Sequence, residues 1–303
     1  MVVAHVERAR RSPLTWIATA VAGTPRLVGA VPPTVQVLLG IISVQVGAAF
    51  AKQLFSVAGS SGVVTLRLVF AAAVLLLIWR PSLPAPRDLP IIVGYGVVLA
   101  TMNVLFYMSL ARIPLGIAVT IEFLGPLAVA LAGSRKLLDV LWALLAAGGV
   151  VLLARANGDV DIVGVLLALG AGVCWAAYIL LTTALGSRSS DGSGLALAMA
   201  CAGLIAAPFG IADAGSSLLS PMVLVVGLGV ALMSSVIPYS LELEALRKIP
   251  PRVFGVLMSM EPAVAAVAGL LVLGEALSPL QWVAICCVVA ASAGATRTAR
   301  PDV

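Results

Sequence analysis

The chain is short of charge. Only 10% of its 303 residues are Asp, Glu, Lys or Arg and 61% are hydrophobic, against roughly 25% and 45–50% in globular domains. Histidine is almost missing. Its one copy, His5, lies near the N-terminus, which excludes a Ser–His pair, a histidine metal site or a histidine relay in the apolar region. The four cysteines, Cys174, Cys201, Cys286 and Cys287, all fall inside apolar runs and form neither a disulfide framework nor a zinc cluster pattern. No Walker A sequence occurs, so the chain does not itself hydrolyse nucleotide. No aspartate pair sits mid-run, which disfavours an intramembrane aspartyl protease. No metal or cofactor is expected, and an enzyme is the least favoured class.

What is abundant is apolar sequence, with a mean hydropathy of +1.15. Ten apolar runs cover roughly 35–51, 62–79, 90–110, 115–133, 137–154, 161–183, 194–211, 222–243, 253–273 and 279–296, separated by breaks rich in Gly, Pro, Ser and charge. Each run is about long enough to cross a bilayer as a helix. Residues 1–33 read as a basic cytoplasmic tail. Arg10 and Arg11 precede LTWIATAVAG, superficially like a signal peptide, but Pro25 and Arg26 end that run too early for a span.

The pI near 9.3 reflects loop charge, not a nucleic-acid surface. With the N-terminus inside, fourteen Lys and Arg fall in inner segments. Only Lys52, Arg112 and Arg155 fall in outer loops, and Arg67 lies within a span. This bias places both termini in the cytoplasm.

An internal repeat runs through the chain. Leu110–Gly133 aligns without gaps on Leu246–Gly269 at an offset of 136, with seven of 24 positions identical, Pro114/Pro250 and Pro126/Pro262 among them. Copies separated by five spans, an odd number, lie upside down relative to one another, as in secondary transporters that bind substrate near the midplane. The expected fold is therefore an all-α integral membrane protein. Ten transmembrane helices form two inverted five-helix repeats, 34–154 and 160–296, with cytoplasmic tails at 1–33 and 297–303.

Two acids stand out. Glu261 lies about nine residues into its run, roughly 13 Å deep, where a charge costs about 2.5–3.5 kcal/mol on insertion scales. Glu122 is its counterpart in the fourth run, displaced by three positions, almost one turn, in the repeat frame. Each has a proline beside it. Pro126 removes the hydrogen bond to the carbonyl of Glu122, and Pro262 does the same to Met258. Broken backbone at that depth is tolerated only against protein or a watery cavity. Glu122 and Glu261 are the candidate proton-coupling pair; structural glutamates bonded to neighbouring helices are the bland alternative.

Arg67 reads either as a counter-ion for an acid or a substrate carboxylate, or as a side chain that snorkels to the outer surface. Glu242 and Glu244, beside Arg247 and Lys248, read as interfacial ion-pair residues. Pro238 and Tyr239 above them mark a kink with a hydroxyl. Gln45, Asn103, Tyr107, Trp175 and Tyr178 are polar groups at depth, either interhelical glue or the lining of a small polar site. The Gly164, Ala168, Gly172, Ala176 stripe reads as helix packing.

The runs SVQVGAAFAKQLF, TLRLVF, TMNVLFYMSLARIPLGIAVTIEFLGPLAVAL, LALGAGVCWAAYIL and IPYSLELEALRKIPPRVFGVLMSMEPAVAAVAGLLVLGE closely resemble the bacterial inner-membrane threonine/homoserine exporters of the EamA-type branch of the drug/metabolite transporter superfamily. The resemblance covers roughly residues 35–296. It implies proton-driven efflux of small neutral amino acids across the bacterial inner membrane, with a zwitterionic substrate, protons and lipid as partners. Oligomeric state is left open. Efflux of another metabolite or drug-like compound is the second reading. A non-transporting scaffold has no need of paired midplane acids in an inverted repeat.

Overall fold

The structure, a computed structural model, describes residues 31–81, 84, 86–132, 137–155, 161–186, 193–246 and 248–298. The tail at 1–30 and several loop arginines lie outside this set. Among the described residues all regular structure is helical. Spans one to three are α1 (Pro33–Gln53), α2 (Phe55–Trp79) and α3 (Leu89–Leu110), and the fourth is α4 (Leu115–Glu122) followed by α5 (Leu124–Ala132). The fifth to seventh are α6 (Leu137–Arg155), α7 (Ile162–Gly186) and α8 (Ser193–Ala214). The eighth joins α9 (Pro221–Ala231) and α10 (Ile237–Leu246) through a π segment at Leu232–Val236. The ninth comprises α11 (Pro251–Met258), α12 (Glu261–Ala268) and a π turn at Gly269–Leu273, and α13 (Pro279–Thr298) is the tenth.

Nine of these spans are 18–27 residues long with mean hydropathy 1.5–2.3; the fifth has a shorter apolar stretch, Val140–Leu153. Pro33, Pro221, Pro251, Pro262 and Pro279 stand in the first turns of their helices, where a missing N–H costs nothing. The second span begins at Phe55, earlier than the expected 62, because the helix continues back through a kink at Gly59 (φ 62°). Lys52, expected in a loop, belongs to the last turn of α1.

The repeat appears in the backbone. Pro114 and Pro250 cap α4 and α11 with φ/ψ of −57/146° and −59/142°, and both helices run eight residues to ends 136 positions apart, at Glu122 and Met258. Packing partners obey the same exchange. The second span packs on the seventh, the fourth on the ninth and the fifth on the tenth, each pair mapping onto itself when the repeats are swapped. The third-with-sixth contact maps onto first-with-eighth. This is a ten-helix bundle of two inverted five-helix repeats. The side on which α1 begins and α13 ends is called here the terminal side.

On the opposite side Arg112 pairs with Asp161 at 2.9 Å. That hydrogen bond, with the N–H groups of Val163 and Gly164, holds the Asp161 carboxyl below the usual range.

Candidate functional site

Proline chemistry builds the site. Pro126 cannot donate to the carbonyl of Glu122, and the fourth span breaks at Phe123. Gly172 of α7 fills the space beside that carbonyl: a Cβ on Gly172 would lie 2.7 Å from the Glu122 oxygen. Gly125 in turn abuts the Gly172 backbone. Gly172 of the small-residue stripe thus packs against the break in the fourth span, while Gly164 meets Arg112 and Ile113. Pro262 leaves the carbonyl of Met258 without its helical donor in the same way, and the ninth span breaks at Ser259–Met260. Pro238 does so to Ser234, and here the replacement donor is visible: Arg67 Nη2 donates to Ser234 O at 2.9 Å.

Arg67 is 7% exposed, so it does not snorkel. Its Nε donates to Ser235 Oγ at 3.2 Å and Nη1 to the Tyr107 hydroxyl at 3.3 Å, with the guanidinium carbon 5.5 Å from the Tyr107 ring centroid. Three of its five N–H groups are thereby engaged, and two remain for a ligand. Burial of a cation requires such a set of acceptors.

Arg67, Glu122 and Glu261 line one cavity of about 590 Å³. Both acids are buried, at 7% and 5% exposure. Glu122 interacts electrostatically with Arg67. Glu261 opens α12, and its Oε2 is buried with no hydrogen-bond partner among the described residues. A buried carboxylate oxygen without a donor is rare in a settled core.

Of the other residues singled out from the sequence, Gln45, Asn103, Trp175, Tyr178, Tyr239 and the kink prolines Pro126 and Pro238 line the same cavity. Asn103 Nδ2 donates back to Leu99 O at 2.8 Å. Trp175 stands edge-on to Phe123, and Tyr178 lies against Tyr95. Pro262 is buried at the start of α12, outside the lining. Tyr107 is not in the lining either. It is fully buried behind Arg67, against Phe55, and supports the guanidinium.

Glu242 corrects an expectation. Glu244 pairs with Lys248 at 2.9 Å as an interfacial residue should, but Glu242 lines the cavity. The signal was present: Glu242 follows Pro238 by four residues and Tyr239 by three, which places it on their helical face. Ser234, Ser292 and Thr296 also line the cavity and were not singled out. Serine and threonine are common packing residues in membrane helices, and nothing in their spacing marks them.

The cavity is lopsided. Ala130, Thr182, Glu242, Phe254 and Thr296 line it, and each lies within four residues of the terminal-side end of its helix. On the opposite side α4 packs on α12, with Gly116 against Ala266. There Lys52 Nζ pairs with Glu275 Oε1 at 2.6 Å and donates to Ile113 O at 2.8 Å. Glu275 Oε2 accepts the Leu115 N–H at 2.8 Å, and Gln53 donates to Val272 O at 3.0 Å. This cluster ties α1, the start of α4 and the end of the ninth span together. Among the described residues no group of three or more His, Cys, Asp or Glu is placed to hold a metal ion.

A transporter family and several proteins match this chain. The EamA-like transporter family matches residues 162–297. The threonine/homoserine exporter RhtA of Escherichia coli K12 is 45% identical over 276 residues, 89% of this chain and 93% of its own. Its namesake in Salmonella typhimurium SL1344 is 44% identical over the same coverage. An uncharacterized transporter of Bacillus subtilis 168, YwfM, is 30% identical over 43% of this chain and 44% of its own. A solved structure titled only as a crystal structure of a protein matches with a TM-score of 0.60 at 20% identity, over 88% of this chain and 97% of that one; it speaks to the fold alone. Identity of this depth across both repeats, on a ten-helix inverted-repeat bundle, means that the chain belongs to the EamA-like transporter family.

Proposed function

We propose that this protein is a secondary exporter of small neutral amino acids of the threonine and homoserine kind, driven by proton antiport across a bacterial cytoplasmic membrane. Both termini, and so the terminal side, face the cytoplasm, a reading supported by the fourteen-to-three loop-charge bias. The cargo reading rests on the 45% identity to a protein named for threonine and homoserine export.

The observation that carries the mechanism is the partnerless Oε2 of Glu261 in a cavity that also holds Arg67. A zwitterion needs a cation for its carboxylate and an anion for its ammonium. Arg67 supplies the first with its two remaining N–H groups, and ionised Glu261 supplies the second. When Glu261 takes a proton instead, it cannot hold the ammonium, so proton and substrate compete for one carboxylate. Glu122, buried and repeat-related, shares the proton. Competition at one acid is the simplest route to obligatory exchange.

The test is Glu261→Gln, which keeps shape and loses titration. Proton-coupled efflux should vanish while expression and thermal stability stay near wild type, and Glu122→Gln should reduce it in part. If Glu261→Gln still accumulates threonine against a gradient under an imposed pH difference, the acid is structural. A second reading, a larger amphiphilic cargo, draws on the cavity itself. Its volume, about 590 Å³, and lining residues Trp175, Phe106, Phe254 and Met258 fall in the range for drug-sized ligands. A competition panel against labelled threonine separates the two.

A further inference from the structure

Three acids line the cavity, and the mechanism above uses two. Glu242 lies on α10, which leads from the Arg67 contact at Ser234 towards the terminal side. Glu242 comes eight positions after Ser234, roughly 12 Å along a helix. Thr182, Phe254 and Thr296, which share the lining, also stand at the terminal-side ends of their helices. Glu242 therefore belongs to the mouth, not to the floor.

Its surroundings leave the carboxylate available. Gly40 of α1 faces it with bare backbone, since a Cβ there would lie 3.7 Å from Glu242 Oε1. Among the described residues no group hydrogen-bonds or pairs with the Glu242 carboxylate, and Arg67 is the one cation of the cavity lining. An α-amino acid carries its ammonium and carboxylate on a single carbon. A molecule whose carboxylate sits on Arg67 cannot also reach an acid two turns away. Glu242, towards the terminal side of that site, is placed to serve an earlier pose.

The geometry points to Glu242 as a first-contact acid, which holds the ammonium of the amino acid at the terminal-side mouth before the molecule moves down to Glu261 and Arg67. This rests on the amino-acid exporter reading. It assigns to Glu242 a binding role on one side of the membrane. A lone interfacial glutamate would not explain why its partner Glu244 finds Lys248 while Glu242 turns inward.

The experiment is exchange of labelled threonine by wild type, Glu242→Gln and Glu242→Asp in inverted vesicles, which present the cytoplasmic side outward, and in right-side-out vesicles. Glu242→Gln should raise KM about tenfold in inverted vesicles, with kcat within about twofold. KM in right-side-out vesicles should not move. Glu242→Asp, which keeps the charge and serves if the Gln variant folds poorly, should recover most of the affinity. Equal KM for wild type and variant in inverted vesicles, or a loss of kcat from both sides, would overturn the assignment. Wild-type vesicles that exchange no threonine would instead sink the exporter reading and take the role of Glu242 with it.

Discussion

Proline acts here through the carbonyl four residues before it. Pro126, Pro238 and Pro262 strand the carbonyls of Glu122, Ser234 and Met258, and all three of those residues line the cavity. Arg67 answers one of them directly, and its planar fork reaches Ser234, Ser235 and Tyr107 at once. A lysine ammonium cannot span those partners and still offer two parallel donors to a carboxylate. Arg67→Lys should therefore raise the threonine KM roughly 10- to 100-fold, the equivalent of about 1.5–3 kcal/mol for a charged hydrogen bond, with the fold retained. Counterflow at several concentrations measures this. Wild-type affinity in the lysine variant would mean that Arg67 only tethers the π segment. The sequence showed Arg67 within a span but not its direction, because snorkelling and burial differ in rotamer, not in position. Glu242 was legible in its face and misjudged by its charged neighbours.

At the level of elements, the two broken spans share their boundaries but not their partners. α4 packs on α12 at Gly116 and Ala266, whereas Ala130 of α5 and Phe254 and Gly255 of α11 face the same cavity. A strict two-fold would treat both pairs alike. Alternating access between inverted repeats exchanges just such a closed pair for an open one. The Lys52–Glu275 cluster holds the closed side, with side chains only 20% and 16% exposed and backbone groups of Ile113 and Leu115 drawn in. Lys52→Met should release about 1–2 kcal/mol of that closure, a five- to thirty-fold rise in the oppositely opened population. A cysteine at Val119, which lines the cavity one turn from Leu115, reports it: an impermeant thiol reagent added on the opposite side should label it several-fold faster in the Lys52→Met background. Unchanged labelling would show that the cluster does not keep this side shut.

On the scale of the whole molecule, the bundle was legible because crossing a bilayer leaves few options. Backbone groups must be satisfied within each span, so run length and loop charge already outline ten helices. The repeat was legible through its prolines, the residues least free to drift. The cavity was not, since which helices part and which close depends on packing between distant segments such as Gly116 on Ala266. The nearest test of the whole is orientation. Ser216, exposed between α8 and α9, and Arg87, exposed before α3, stand on opposite faces if the chain crosses ten times. With both termini cytoplasmic, a cysteine at Ser216 faces outward and one at Arg87 faces the cytoplasm. In a background with Cys174, Cys201, Cys286 and Cys287 replaced, an impermeant thiol reagent on intact cells should label the first and spare the second, and inverted vesicles should reverse the pattern. Labelling of both from outside would break the alternation on which the inverted repeat depends. Reversed labelling would keep the repeat and turn the open cavity, with Glu242 at its mouth, away from the cytoplasm, against the proposed loading of cargo from that side.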